Sequence, residues 1–253
     1  MKDLIKNFAK DVGVDDIGFA SIENYNSPNT PPIKEIYSKA KIIIVLAFQQ
    51  LDNCENENIQ IASAGSKILS DFADSSTYKI ARFLKQEFKA TVISIPRMTP
   101  VNRDIKTGLL FADVSLRHAA VAAGLGCFGK HNLVIHPVMG TKVVFTAIIT
   151  NLYIEPDSPI EEDLCIDCDI CLNQCPVNAL DEENRTDVMK CMFNCRPYGF
   201  AGYMQFWLKF TESTPKEQEI MLQDRKFKKL YDELTLGSQY VCFNCIKNCP
   251  AGQ

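Results

Sequence analysis

Two cysteine runs carry the residue types and spacing of a redox centre. The first reads Cys165-x-x-Cys168-x-x-Cys171-x-x-x-Cys175-Pro176 and the second Cys242-x-x-Cys245-x-x-x-Cys249-Pro250, with Cys191 between them. This spacing suits two [4Fe–4S] clusters. Each cluster needs four thiolates on four irons. Three close cysteines wrap one cube, and the fourth, held away by three residues and turned by proline, points to the other. The expected sets are therefore crossed: Cys165, Cys168, Cys171 and Cys249 on the first cluster, Cys175, Cys191, Cys242 and Cys245 on the second. Structural zinc also uses CxxC pairs, but a third cysteine at two-residue spacing followed by Cys-Pro favours iron and sulfur.

The second chemical stretch is Gly124-Leu125-Gly126-Cys127-Phe128-Gly129. It matches the dinucleotide pattern GxGxxG, which works only where a strand enters and a helix leaves, so that the helix N-terminus faces a pyrophosphate. Here a helical pattern, 115–123, enters, and the extended-looking Asn132–His136 leaves. A nicotinamide site is not expected. Gly124 suits a helix C-cap. Three glycines in six residues, followed by Lys130-His131-Asn132, exceed what one cap needs and leave room for a large ligand against the backbone.

The elements that must position these residues alternate. Leu4, Phe8 and Val12 give residues 1–13 a helical apolar stripe, and 16–20 reads as a strand. A helical stretch at 33–39 leads to the β-branched run 41–47, which suits a strand covered on both faces at the centre of a sheet. A helix is expected over 58–89, with Ile80, Phe83, Leu84 and Phe88 on one face. Strands at 91–95 and 142–150 flank a helix at 110–123. This alternation argues for an α/β domain over residues 1–157. Glu155-Pro156-Asp157-Ser158-Pro159 forms a turn-rich junction, and residues 158–253 form a ferredoxin-like part interrupted between Arg196 and Val241 by two helices. Thr214, Pro215 and Glu217 give the second helix a capping box, and Ile220, Phe227, Leu230 and Leu234 its apolar stripe. Tyr198, Tyr203 and Trp207 suit core packing. The basic residues Arg225, Lys226, Lys228 and Lys229 suit a solvated face or the docking of an acidic electron donor.

The net charge of −4 provides no basic field for nucleic acid or anionic membrane. No secretory signal pattern and no membrane-length apolar run is present, so a cytoplasmic protein with reduced cysteines is expected. Asp163, Asp167, Asp169 and Asp181–Glu183 surround the first run, and negative charge there lowers a cluster's potential.

Arg117-His-Ala-Ala-Val-Ala-Ala-Gly-Leu-Gly-Cys-Phe-Gly-Lys-His-Asn132, the strand to Thr150 and the two Cys-Pro runs with Cys191 between them together resemble the epoxyqueuosine reductase family, which is related to corrinoid-dependent reductive dehalogenases. The resemblance covers roughly residues 105–253. It implies a corrinoid-binding α/β domain, similar in fold to flavin nitroreductases, packed on a two-cluster module that receives electrons from a low-potential donor such as ferredoxin or flavodoxin. It makes Gly124, Gly126, Cys127, Gly129, Lys130, His131 and Asn132 candidates for the cofactor site, with cobalamin or another corrinoid as the cofactor and FMN as an alternative that such a fold also accommodates. The family's spacing favours Cys191 over Cys195 as the intervening ligand, and none of His118, His131 and His136 is implied as a ligand to cobalt. Ungapped alignment puts Leu110 where the family has its proton-donating aspartate; Asp113, three residues on, is the remaining candidate for the general acid, and its other reading is a helix-start carboxylate. The sequence stops three residues after Pro250, so no C-terminal extension that grips a tRNA is expected, and the substrate is a small molecule or a separate corrinoid partner. An electron-transfer protein without substrate chemistry of its own is the other reading.

Two four-iron clusters predict about eight irons per chain. Metal analysis of anaerobically purified protein checks this; stoichiometric zinc with little iron would refute it.

Overall fold

Residues 42–48 are apolar without interruption, and in an extended chain successive side chains point to opposite faces. That strand must therefore be covered on both sides. The structure, a computed structural model, describes residues 1–100, 102–103, 110–181, 186–237 and 241–251. In it β2 (Ile42–Gln49) lies inside a four-stranded sheet of order β1-β2-β8-β3, with β1 (Asp16–Ser21), β3 (Val92–Ile95) and β8 (Val143–Thr150). Ile42, Ile44, Leu46 and Phe48 face one core, and Ile43, Val45 and Ala47 face the other. The central position follows from the sequence. The strand directions do not: every pairing is antiparallel, as in Ile43 opposite Ile149 and Phe19 opposite Ile44. Helices alternate with strands in this mixed α/β fold without enforcing a parallel sheet.

One face is covered by α1 (Lys2–Asp11) and α3 (Ile59–Phe88). Ile5 and Ala9 are the buried residues of α1, flanked by Phe8 and Val12; Leu4, expected in the stripe, is 46% exposed. The long helix α3 runs the expected length because Asn58 accepts the Gln60 amide at its start and Lys89 turns left-handed at its end. Before it come α2 (Ile33–Ile36), shorter than expected, and a 3-10 turn at Asp52–Glu55.

The opposite face is covered by α4 (Leu116–Ala122) and the loop after it. This helix starts six residues later than expected: Ser115 caps it, while β4 (Asn102–Arg103) pairs with β5 (Leu110–Phe111). Ala119, Ala120, Ala122 and Ala123 make its buried side almost all methyl groups. Small side chains allow close approach, and a Cβ at Gly18 of β1 would lie 2.9 Å from the Ala123 Cβ. The closeness fixes where α4 ends, and hence where the glycine loop begins. That loop continues into a hairpin of β6 (Cys127–Phe128) and β7 (Val134–Ile135).

The junction at 155–159 is tied down rather than free. The Phe19 amide donates to Asp157 Oδ2 at 3.0 Å, the Asp157 amide donates to the Phe19 carbonyl at 2.8 Å, and Lys2 pairs with Asp157 at 2.6 Å. Beyond it lie α5 (Ile170–Asn173), α6 (Val188–Cys195), α7 (Phe200–Glu212), α8 (Pro215–Gln223), α9 (Arg225–Leu236) and α10 (Asn244–Lys247). The capping box at Thr214 and Glu217 forms as expected. The insertion nevertheless holds three helices rather than two, because Asp224 ends α8 and caps α9 by accepting the Lys226 amide. The break divides the expected stripe: Phe227 and Leu230 pack inward, whereas Ile220 and Leu234 are exposed. Trp207 meets Tyr203, Phe206, Phe210 and Phe227 in an aromatic cluster; Tyr198, read with that cluster, lies under Lys229, whose Nζ is 5.1 Å from the ring centroid.

His136 is buried after β7, and its Nδ1 accepts the amides of Val138 and Met139. The proton therefore sits on Nε2, which donates to Asp16 Oδ2 at 3.0 Å. This bond is the main reason that the Asp16 carboxyl lies below its ordinary value of 3.8. A depressed carboxyl adds stability that is complete above the ordinary value and fades as pH falls through the folded value. Asp16→Ala should cost about 0.5–1 kcal/mol near neutral pH, the low end reflecting partial solvent screening. Denaturant midpoints of the two proteins should converge below the ordinary carboxylate range; a difference that persists in acid would refute the linkage.

Candidate metal centre

The side chains of Cys165, Cys168, Cys171 and Cys249 line one small cavity together with Lys130, His131 and Pro250. A short turn brings them there. Asp167 and Asp169 both adopt left-handed backbone conformations, at φ 52° and 56°, and α5 starts directly after the second. Such positive φ values are uncommon outside glycine and aspartate or asparagine. α10 packs beside α5 and delivers Cys249 from the second run. Burial, followed by the neighbouring Cys249, Cys165 and Cys168, pushes the Cys171 thiol up.

The glycine loop is the seat of this cavity. α4 ends in a Schellman turn, with the Leu125 amide donating to the Ala120 carbonyl at 2.9 Å and the Gly124 amide to Val121 at 3.1 Å. Gly124 has φ +72°, and a Cβ there would strike the Ser158 carbonyl. At Gly126, φ +154°, a Cβ would strike the Ile135 carbonyl. At Gly129 it would lie 2.7 Å from His131 Cε1 and 3.0 Å from Nε2. Each close approach is thus made to the chain itself. Cys127 Sγ accepts the Leu164 amide at 3.2 Å, one residue before Cys165, and burial raises its thiol. Asn132 takes φ 57°, and its carbonyl accepts from the Arg117 guanidinium. Lys130 Nζ lies 3.0 Å from Asp167 and 2.8 Å from Asp169, and these carboxylates raise its ammonium above the ordinary value. Ile135 is fully buried against Cys249, Ala251, Leu164 and Cys165. His131 is buried as well, its Nδ1 accepting the Leu133 amide at 3.0 Å, and burial pulls it down to about 4.

A second group of thiols forms where α6 meets the start of the second run. Cys191 and Cys195 stand one helical turn apart with Sγ atoms 3.8 Å apart. Cys195 also bonds the Cys242 thiol, and this is the largest cause of the fall of Cys242 to about 6. Burial, then Cys242 and Cys191, raises Cys245 to about 12. Cys175 Sγ accepts the Ala179 amide at 3.2 Å. Cys195, the competitor to Cys191, thus stands beside it.

Between the sheet and the second group lies a cavity of about 270 Å³ that the sequence did not announce. Arg97, Arg117, Gln50, Cys54, Phe145 and Phe243 help line it. Burial lowers both arginines; Cys54 and then Asp74 oppose this at Arg97, and Cys191 opposes it at Arg117. Arg97 is held by Ser66 and Ser70, and Gln50 Oε1 is buried without a hydrogen-bond partner among the described residues. Cys54, in a stretch that reads as a polar loop, is buried at the cavity wall. The donors would suit a ligand fringed with carboxamides. Asp113 is exposed and accepts from Asn102 Nδ2 at 3.2 Å, and Leu110 enters β5. His118 bonds Ser115 at the α4 cap. Glu182 and Glu183, among the acidic residues expected near the first run, lie outside the described residues.

Residues 158–181 match the family model of the 4Fe-4S binding domain. The chain is 28% identical over 208 residues to the epoxyqueuosine reductase of Bacillus anthracis, covering 73% of this chain and 53% of that protein. The chain is a homologue of the epoxyqueuosine reductases. It spans about half the length of the curated relatives it matches. An epoxyqueuosine reductase solved with a tRNA-Tyr epoxyqueuosine-modified stem loop has the same fold, with a TM-score of 0.56 at 22% identity, over 99% of this chain and 65% of that one. A reductive dehalogenase, whose structure suggests a mechanism for B12-dependent dehalogenation, gives a TM-score of 0.55 at 17% identity, over 92% and 36%. The exclusion of nucleic acid drawn from net charge therefore has no support.

Cys191 and Cys195 are too close to bind two corners of one cube where they stand, so one of them is spare. Cys195→Ser should leave about eight irons per chain, whereas Cys175→Ser and Cys191→Ser should each leave about four. Iron analysis of the three proteins decides; loss of iron in Cys195→Ser alone would reverse the assignment.

Proposed function

We propose that the chain is an oxygen-sensitive iron–sulfur oxidoreductase that passes electrons through two [4Fe–4S] clusters towards the cavity between the sheet and the second thiol group. The observation that carries this reading is the four-thiol cavity of Cys165, Cys168, Cys171 and Cys249, closed by the glycine-loop hairpin. Cys175, Cys191, Cys242 and Cys245 are the proposed second set. Bound at these thiols, [4Fe–4S] clusters supply one-electron transfer.

The residues around them have separable tasks. Ile135 keeps water from the first set. Lys130 fixes the turn that presents Cys168 and offsets the charge of Asp167 and Asp169. Arg117 connects the hairpin, through the Asn132 carbonyl, with the surroundings of Cys191. Arg225 and Lys226 are exposed on α9 and suit the approach of an acidic low-potential donor such as ferredoxin or flavodoxin.

The relatives suggest a corrinoid as the acceptor within the α/β domain, residues 1–157, and a modified nucleoside or other small molecule as the substrate. Asp113 is the acid candidate for that reaction. In the other reading the chain carries clusters alone and delivers electrons to a separate corrinoid or flavin partner. FMN as a resident cofactor has no support among the relatives.

Anaerobic purification followed by absorbance and extraction separates these readings. A corrin spectrum, or a shift of added cobalamin towards a base-off form, supports the resident corrinoid. No binding at micromolar cobalamin would remove it and leave the electron-transfer reading. Absence of iron after reconstitution would remove both.

A further inference from the structure

The third glycine of the loop and the histidine two residues beyond it form one device. A Cβ at position 129 would lie 2.7 Å and 3.0 Å from His131 Cε1 and Nε2, so glycine is what lets the imidazole occupy its place. His131 is 4% exposed and lines the same cavity as Cys165, Cys168, Cys171 and Cys249. Its Nδ1 accepts the Leu133 amide at 3.0 Å. A neutral imidazole has one donor and one acceptor, so the proton lies on Nε2. No hydrogen bond to that N–H is formed among the described residues. The sulfur-rich cavity that His131 lines supplies the natural acceptor.

We propose that His131 is a tuning residue for the first cluster, donating its Nε2–H to a sulfur of that centre and raising its reduction potential. This rests on the first cluster occupying the Cys165, Cys168, Cys171 and Cys249 set. A hydrogen bond to sulfur stabilises the more negative, reduced state, and such bonds are among the factors that set cluster potentials. The assignment gives Gly129 and His131 a role at iron and sulfur rather than at a corrin. It also places a raising influence opposite the lowering influence of Asp167 and Asp169.

The test is an EPR-monitored redox titration of the anaerobically reconstituted full chain, following the signal that Cys168→Ser removes. His131→Phe should keep its iron while the ratio of reduced to oxidised first cluster at a fixed potential falls about tenfold, which is about 59 mV for one electron. His131→Gln, which retains an N–H donor, should recover part of the difference. An unchanged potential in an iron-replete His131→Phe protein would overturn the proposal and leave the cluster assignment standing. If that variant does not fold, wild-type protein labelled with ¹⁵N-histidine decides: pulsed EPR of the reduced first cluster must show a weakly coupled histidine nitrogen, and its absence overturns the proposal. A wild-type chain that holds no iron overturns the cluster assignment and this inference together.

Discussion

Close backbone contact between the glycine loop and the cysteine module is the constraint on which the rest of the structure depends. At positions 124 and 126 the missing Cβ is replaced by the carbonyl oxygens of Ser158 and Ile135, and at 129 by the ring of His131. Any other residue would push the loop from the segment it supports. The first two positions also need positive φ, which glycine adopts without the steric cost other residues bear. α4, packed on β1 by its alanines, holds one end of this contact. Ile135, buried among Leu164, Cys165, Cys249 and Ala251, holds the other.

Charge follows the same seam. Lys130 reaches across it to Asp167 and Asp169, while Arg117 reaches from α4 to the Asn132 carbonyl. The first cavity thus has acidic residues whose charge is partly compensated by one lysine, and the second thiol group has a guanidinium nearby. The two thiol groups therefore sit in different fields although their cysteine spacing is similar. Differences of this kind separate the potentials of iron–sulfur centres.

The helical insertion does different work. Trp207, Tyr203, Phe206, Phe210 and Phe227 form an aromatic cluster within it. It gives the segment between Cys191 and Cys242 a small core, so that two cysteines distant in sequence return to one place.

The sequence determined by itself what depends on local spacing. The Cys-Pro runs, the capping box at Thr214 and the doubly buried β2 all follow from residue types within one or two turns, where backbone geometry leaves few choices. The same locality let the order of elements around the glycine loop argue against a dinucleotide site. What depends on distant partners was decided only by the tertiary structure. Strand direction came from loop paths, so the sheet is antiparallel. Asp224 broke a stripe that periodicity alone would continue. Arg97, Gln50 and Cys54 met Arg117 at one cavity without any spacing signal, because α3, β2, β3 and α4 converge there. The glycine loop read as open to a large ligand, yet its empty Cβ positions are filled by Ser158, Ile135 and His131. Steric complementarity of that kind belongs to pairs of segments, and neither segment carries it alone.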